Sequence, residues 1–479
     1  MDKNVTKISS PVFVQIRTYG CQMNVLDSQI ISGLLADKGF VVTESENEAD
    51  AIIFNTCSVR DLSERKVLGK LGTLTHTRKR RPELVLGVCG CMAELSGDRI
   101  IQKNPHVDFV CGTHERQLIP EKLVNAFIKR IATAEITNHN SLHLERLLSA
   151  FSEFKTQNFY PASAATKLKT QNLVVPDERI AIRPHPWSAF VEIMRGCSNF
   201  CSYCVVPYAR GPEVSRSPDD ILDEITELAN NRFVEITLLG QNVNSYGLDL
   251  SENKISFAKL LRKINEIDGI RWIRFVTSNP QDISDELICA ITECEKVCHQ
   301  IHFPLQSGSD RILKLMKRKY TRDEYMEKID KIRGAVPDMA FSSDFIVGFP
   351  TETEEDFEAT FSAVEQVKFA SSFIFKYSVR SGTAAADMSD DIPIEVKKAR
   401  HKKLLDLQNS VTYELHKQQV GNVVEVLVEG SSKRNTEMAQ GRTSRYFNVV
   451  FPDKNAKSGT FVKVKINRAT KLTLYSEKI

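Results

Sequence analysis

Three of the eleven cysteines stand close together in Arg195-Gly-Cys-Ser-Asn-Phe-Cys-Ser-Tyr-Cys-Val205. Cys197, Cys201 and Cys204 form a C-x3-C-x2-C array. Three thiolates this close suit a soft metal or an iron–sulfur cluster. An array of three leaves one iron of a [4Fe–4S] cube without a protein ligand. Zinc is the alternative, but a structural zinc takes four ligands and no His or fourth Cys lies nearby. Three buried free cysteines are the remaining, weaker alternative.

A second set is dispersed. The runs Val12-Phe-Val-Gln-Ile-Arg-Thr-Tyr-Gly-Cys21, Ala51-Ile-Ile-Phe-Asn-Thr-Cys57 and Leu84-Val-Leu-Gly-Val-Cys-Gly-Cys91 read as strands that end at cysteines. Helical patterns over about Val25–Lys38 and Leu62–Thr75 separate them. Strand–helix alternation implies a parallel sheet whose carboxyl ends share one edge. Topology would then gather Cys21, Cys57 and Cys91 into a second three-thiolate site. Unrelated buried cysteines at strand ends are the alternative. Cys89 leaves the third member ambiguous, although alternation puts it inside the strand. Cys111 reads as core. Cys289, Cys294 and Cys298 fall in or beside a predicted helix and read as core or surface thiols.

These residues resemble known families. C-x3-C-x2-C with Tyr203 before the last cysteine resembles the radical S-adenosylmethionine (SAM) superfamily. That resemblance implies a [4Fe–4S] cluster whose open iron binds SAM. Arg17-Thr-Tyr-Gly-Cys-Gln-Met-Asn-Val-Leu-Asp-Ser28, Asn55-Thr-Cys-Ser-Val-Arg60 and Gly90-Cys-Met-Ala93 resemble the N-terminal motifs of methylthiotransferases. There the resemblance implies an auxiliary [4Fe–4S] cluster on Cys21, Cys57 and Cys91, and it favours Cys91 over Cys89. With Leu238-Leu-Gly-Gln-Asn-Val-Asn-Ser-Tyr246, the likeness is to the MiaB-type branch. It implies transfer of a methylthio group to C2 of N6-isopentenyladenosine at position 37 of tRNA, with two SAM consumed. An electron donor protein and a sulfur donor system would serve such an enzyme. The alternatives are a sibling acting on threonylcarbamoyl-adenosine tRNA or a ribosomal protein, and a non-catalytic iron–sulfur RNA-binding redox sensor.

The elements that must position this chemistry form an α/β multidomain chain. Its 479 residues suit several domains, and 42% apolar with 26% charged residues is ordinary for a globular protein. A net charge of +3 names no partner. Met1–Ser10 shows no apolar signal core, and no apolar run approaches about 18 residues, so a cytoplasmic monomer without a membrane span is expected. Residues 1–130 are expected to be the parallel α/β domain. Residues 131–182, punctuated by proline and with one helical pattern near Leu142–Phe154, read as a linker.

Residues 183–411 hold six apolar runs separated by amphipathic helices, which predicts a partial (βα)6 barrel with active groups at the carboxyl ends of its strands. Those ends carry Gly240-Gln-Asn-Val-Asn244, Pro304-Leu-Gln-Ser-Gly-Ser-Asp310 and Asp344-Phe-Ile-Val-Gly-Phe-Pro350. The resemblance implies SAM contacts at Gln241, Asn242, Gln306, Ser307, Asp344 and Gly348. Residues 412–479 read as a small antiparallel β-barrel. Between Val411 and Ile479 stand 12 Lys and Arg against 6 Asp and Glu, a local charge of 12 − 6 = +6. A basic barrel suits nucleic acid, and this one resembles the RNA-binding TRAM domain. The run Arg78-Lys-Arg-Arg81 is a further candidate for phosphate contact.

Overall fold

The computed structural model describes residues 10–58, 61–136, 142–151, 178–252 and 254–479. They fold as two compact units, Met1–Arg183 with Tyr208–Arg210, and Pro184–Pro207 with Gly211–Ile479. Most of the expected linker and the N-terminal segment before Ser10 lie outside the described residues. The helical pattern inside the linker is a helix over Leu142–Ala150.

The first unit is built on β1 (Val12–Tyr19), β2 (Phe40–Val42), β3 (Ala51–Thr56), β4 (Val85–Cys89) and β5 (Phe109–Cys111). Their order is β2-β1-β3-β4-β5, and every pair is parallel. Side chains alternate between the sheet faces. Ala51, Ile53, Val85 and Cys89 pack with Ile31, Leu123 and Phe127 on one face. Ile52, Phe54, Leu86 and Val88 pack with Val67, Leu71 and Leu74 on the other. Two dry faces explain the unbroken apolar runs of β3 and β4. The order reverses between β1 and β3, and such a switch point opens a crevice at the carboxyl edge.

In the second unit six parallel strands follow one another: β6 (Ser188–Glu192), β9 (Glu235–Leu239), β10 (Trp272–Phe275), β11 (Gln300–His302), β12 (Ala340–Val347) and β13 (Ser371–Lys376). They form two three-stranded sheets, β6-β9-β10 and β11-β12-β13, joined by a parallel bridge from Ile273 to Val297. The short antiparallel pair β7 (Met194–Arg195) and β8 (Val214–Ser215) brackets the C-x3-C-x2-C loop. Helices capped by serine or threonine return the chain between strands. Thr353 and Asp356 form a capping box on the helix Glu354–Val367, for example.

The helix Ile394–Lys417 leads to a closed barrel of β14 (Val423–Ser432), β15 (Asn435–Arg442), β16 (Asn448–Pro452), β17 (Phe461–Ala469) and β18 (Leu474–Lys478). Its strands run β14-β15-β16-β18-β17. All pairs are antiparallel except β16 with β18. The barrel sits on the six-stranded array through Arg274. That guanidinium donates to Glu235 at 2.7 Å, to the Ser444 carbonyl at 2.7 Å and to the Thr443 carbonyl at 2.9 Å. Trp272 meets Phe461 edge-on, with ring centroids 4.9 Å apart.

Candidate active site

The loop between β7 and β8 holds Cys197, Cys201 and Cys204, each half-buried. Gly196 opens it at φ 82°, where a Cβ would strike the Pro212 carbonyl at 1.8 Å. The turn therefore requires glycine. Each sulfur receives at least one N–H donor. Asn199 Nδ2 lies 3.4 Å from Cys197 Sγ, Arg318 Nη1 lies 3.5 Å from Cys201 Sγ, and the Val206 amide lies 3.5 Å from Cys204 Sγ. A thiol is a weak acceptor and a thiolate a strong one, so this donor set fits metal-bound sulfur. Burial raises the Cys197 thiol and takes that of Cys204 to about 12. Among the described residues no three His, Cys, Asp or Glu groups converge as ligands of a single ion. A [4Fe–4S] cube does not ask for that, because each cysteine binds a different iron. The residues fit the cluster better than zinc.

Arg318 is a residue the sequence reading missed. The helix Asp310–Leu315 ends before it, and Lys317 takes φ 56°. That turn aims Arg318 inward. Its Nε donates to Tyr320 Oη at 2.8 Å and its Nη2 to Asn279 Oδ1 at 3.0 Å.

The six residues expected to contact SAM divide. Gln241 Oε1 accepts from the Gly196 amide and so tethers the cysteine loop, while its buried Nε2 has no protein partner. Gln306 and Asp344 come together, the Gln306 amide donating to the Asp344 carbonyl at 2.9 Å. Asp344 Oδ2 also lies 3.2 Å from His302 Nε2. The other three have structural roles. Asn242 is 1% exposed, and its amide is taken up by Asp282 and the Asn279 backbone. Ser307 is fully buried against Thr360. Gly348 is required by φ 67° and by the Lys397 side chain, 2.4 Å from where a Cβ would stand.

In the first unit Cys21 is the N-cap of the helix Gln22–Asp37, Cys57 follows β3, and Cys91 opens the helix Cys91–Lys103. The strands that lead to them, β1, β3 and β4, are adjacent in the sheet. Asn55 fixes their ends. Its Nδ2 donates to the Asn24 carbonyl at 2.8 Å and to Ser28 Oγ at 2.9 Å. Gly90, at φ 88°, lets β4 turn close past Asn55, whose Oδ1 is 2.4 Å from the site of a Cβ. A hydrogen bond from Cys57 is the largest cause bringing Cys21 down to about 5, with Arg210 and helix amides assisting against burial. Burial raises Cys91, and Arg210 opposes it. Two helix N-termini and a buried guanidinium make this a place for anionic sulfur, so the donor set fits a cluster here too. Cys89 differs. It pairs in register with Cys111 and packs in the apolar layer with Phe109, and burial pushes its thiol well up.

Three family models match the chain. The Radical SAM superfamily matches residues 191–364, the Uncharacterized protein family UPF0004 matches 13–112, and the TRAM domain matches 417–479. A tRNA-2-methylthio-N(6)-dimethylallyladenosine synthase of Syntrophomonas wolfei is 45% identical, over 98% of both chains. One from Clostridium novyi is 44% identical, over 100% of this chain and 99% of its own. The chain belongs to that synthase family. It is a radical SAM methylthiotransferase, and its cofactors are SAM and [4Fe–4S] clusters. Among solved structures, the radical SAM methyltransferase TsrM of Kitasatospora setae shares the fold, with a TM-score of 0.50 at 14% identity. That match covers 78% of this chain and 77% of TsrM.

The basic features of this methylthiotransferase are unequal. Arg78 is buried in an ion pair with Asp108 at 2.6 Å, and Arg81 donates to the Asn47 and Ala49 carbonyls. Half of the Arg78–Arg81 run is therefore structural, and only Lys79 and Arg80 are exposed. On β17, by contrast, exposed Lys463 and Lys465 alternate with buried Val464 and Ile466. No helix among the described residues is long and apolar enough to cross a membrane.

Proposed function

We propose that this enzyme adds a methylthio group to C2 of N6-isopentenyladenosine at position 37 of tRNA, consuming two SAM. Cys197, Cys201 and Cys204 hold the cluster that binds SAM, and Cys21, Cys57 and Cys91 hold the auxiliary cluster. The observation that carries the first assignment is that every sulfur of that trio receives an N–H donor. When bound, the two clusters supply reductive cleavage of SAM and a sulfur carrier. Gln241, through its unpartnered amide, and Gln306 with Asp344 orient SAM at the strand ends. Residues 1–130 act as the auxiliary-cluster domain, 183–411 as the radical SAM core and 412–479 as the tRNA grip, with 131–182 as linker. The enzyme works in the cytoplasm as a monomer, with an electron donor protein and a sulfur donor system.

The test is nucleoside mass spectrometry after anaerobic reaction of reconstituted protein with SAM, a strong reductant and tRNA. Prenylated tRNA should gain the 2-methylthio group, and tRNA lacking the isopentenyl group should gain little. Modification of threonylcarbamoyl-adenosine instead would assign the chain to a sibling activity.

A further inference from the structure

Tyr446 stands in the loop between β15 and β16 at φ 68°, in the left-handed region that a bulky side chain rarely adopts. The fold holds it there from both sides. The Thr443 carbonyl accepts from the Tyr446 amide at 2.9 Å, and Thr443 Oγ1 accepts from the Phe447 amide at 3.2 Å. The buried Arg274 guanidinium donates to the Thr443 and Ser444 carbonyls. Phe447 packs in the barrel core with Val449 and Val464. With its neighbours pinned, Tyr446 is turned outward and is 46% exposed. Strain of this kind persists where the surrounding structure over-determines it, and it gathers at binding sites.

The surroundings say what the ring can meet. Arg442 Cζ lies 4.4 Å from its centroid and Arg274 Cζ lies 5.0 Å from it. Arg442 is itself held by Glu429. Such contacts fix the ring in one orientation, so little freedom is lost when a flat ligand settles on it. Arg442, Leu427 and Phe461 stand in one row across β15, β14 and β17. Leu427 packs with Trp187 and Trp272 rather than in the barrel core, so this row belongs to the outer face. By strand alternation, exposed Lys463 and Lys465 follow Phe461 on the same face. An exposed ring beside a line of cations suits single-stranded nucleic acid, with bases on the ring and phosphates on the cations.

We infer that Tyr446 is a stacking platform for an unpaired base of the tRNA. This rests on the reading of residues 412–479 as the tRNA grip. A stacked base adds affinity without neutralising a phosphate, so Tyr446 strengthens binding and leaves its salt dependence unchanged. The lysines of β17 do the reverse: each phosphate contact they make steepens the salt dependence.

The experiment measures binding of full-length reconstituted protein to tRNA carrying isopentenyladenosine, across a potassium chloride series. Tyr446→Asn removes the ring and suits the left-handed backbone, whereas Tyr446→Phe keeps the ring. The Asn variant should bind about five- to 150-fold more weakly, the range of one base–aromatic stack, with the salt slope unchanged. Its urea midpoint should equal or exceed that of the wild type, which separates a lost contact from a lost fold. The Phe variant should bind within about twofold of the wild type, because its ring still stacks. An Asn variant that binds as tightly as the wild type overturns the inference. So does a slope reduced by roughly 0.7 to 0.9, the mark of a lost phosphate contact. If Lys463→Gln and Lys465→Gln flatten the slope while Tyr446→Asn is silent, the inference alone is overturned and the grip stands. If none of the three alters binding, the grip reading fails and this inference falls with it.

Discussion

Replacing Arg274 by Met should loosen the C-terminal barrel from the radical SAM core. Arg274 and Glu235 are each only 2% exposed, and their ion pair is 2.7 Å long. The substitution strands Glu235 with one remaining donor, the Ser188 hydroxyl at 2.8 Å. It also removes the donors to the Thr443 and Ser444 carbonyls, which tie down the loop between β15 and β16. Removing one partner of a buried pair costs about 3–5 kcal/mol. With a urea m-value of about 3 kcal/mol/M, the midpoint should fall by about 1 to 1.7 M. The chain has two tryptophans, Trp187 and Trp272, and both pack with Leu427 of the barrel, so fluorescence reports on this junction directly. Arg274→Met combined with Glu235→Gln should recover part of the loss, because no unpaired carboxylate then remains buried. A single variant destabilised by less than about 1 kcal/mol, at equal cluster loading, would refute the reasoning.

Three further outcomes are expected. Alanine at Cys91 should remove about half of the bound iron and alanine at Cys89 none, by iron assay; the reverse result would move the third auxiliary ligand to Cys89. Burial pushes the Asp356 carboxyl up, but hydrogen bonds from Arg311, Ser309 and Thr353 outweigh it and bring it from 3.8 to about 2. A lowered folded value stabilises above the unfolded one and is lost as pH falls through about 2. Asp356→Asn should therefore cost about 1–2 kcal/mol at neutral pH, after allowance for the half-exposed Arg311, and progressively less from about pH 5 downward in acid denaturation. Lys463→Gln and Lys465→Gln should each reduce the salt slope of tRNA binding by roughly 0.7 to 0.9 where they meet a phosphate, without altering SAM cleavage. An unchanged slope would place the RNA grip elsewhere.

Much of this was legible in the sequence because it depends on period and spacing. The buried strands β3 and β4 are unbroken apolar runs, and the cysteine loop is contiguous. β15 was not legible. It offers only Met438 and Ala439 as apolar residues, since its inward position at Gly441 lies against β14, with the Leu427 carbonyl 2.2 Å from where a Cβ would stand. β2 is a short edge strand with Val41 and Val42 exposed, too brief to show a period. In the site, the cysteines carried a pattern and the arginines that serve them did not. Arg318 and Arg210 reach sulfur sites from distant or non-repeating positions, and only the folded chain brings them there. Asn242 and Ser307 looked like ligand contacts because amides and hydroxyls at strand ends serve turns equally well.

The most direct test of the central claim is a single variant, Cys57→Ala, assayed for two products at once. The auxiliary trio loses one ligand, while the loop of Cys197, Cys201 and Cys204 is unchanged. With SAM, a strong reductant and prenylated tRNA, the variant should still release 5′-deoxyadenosine and form no 2-methylthio nucleoside. Product at near wild-type yield would contradict the account, because the sulfur would then come from somewhere other than the site at the carboxyl edge of the first sheet.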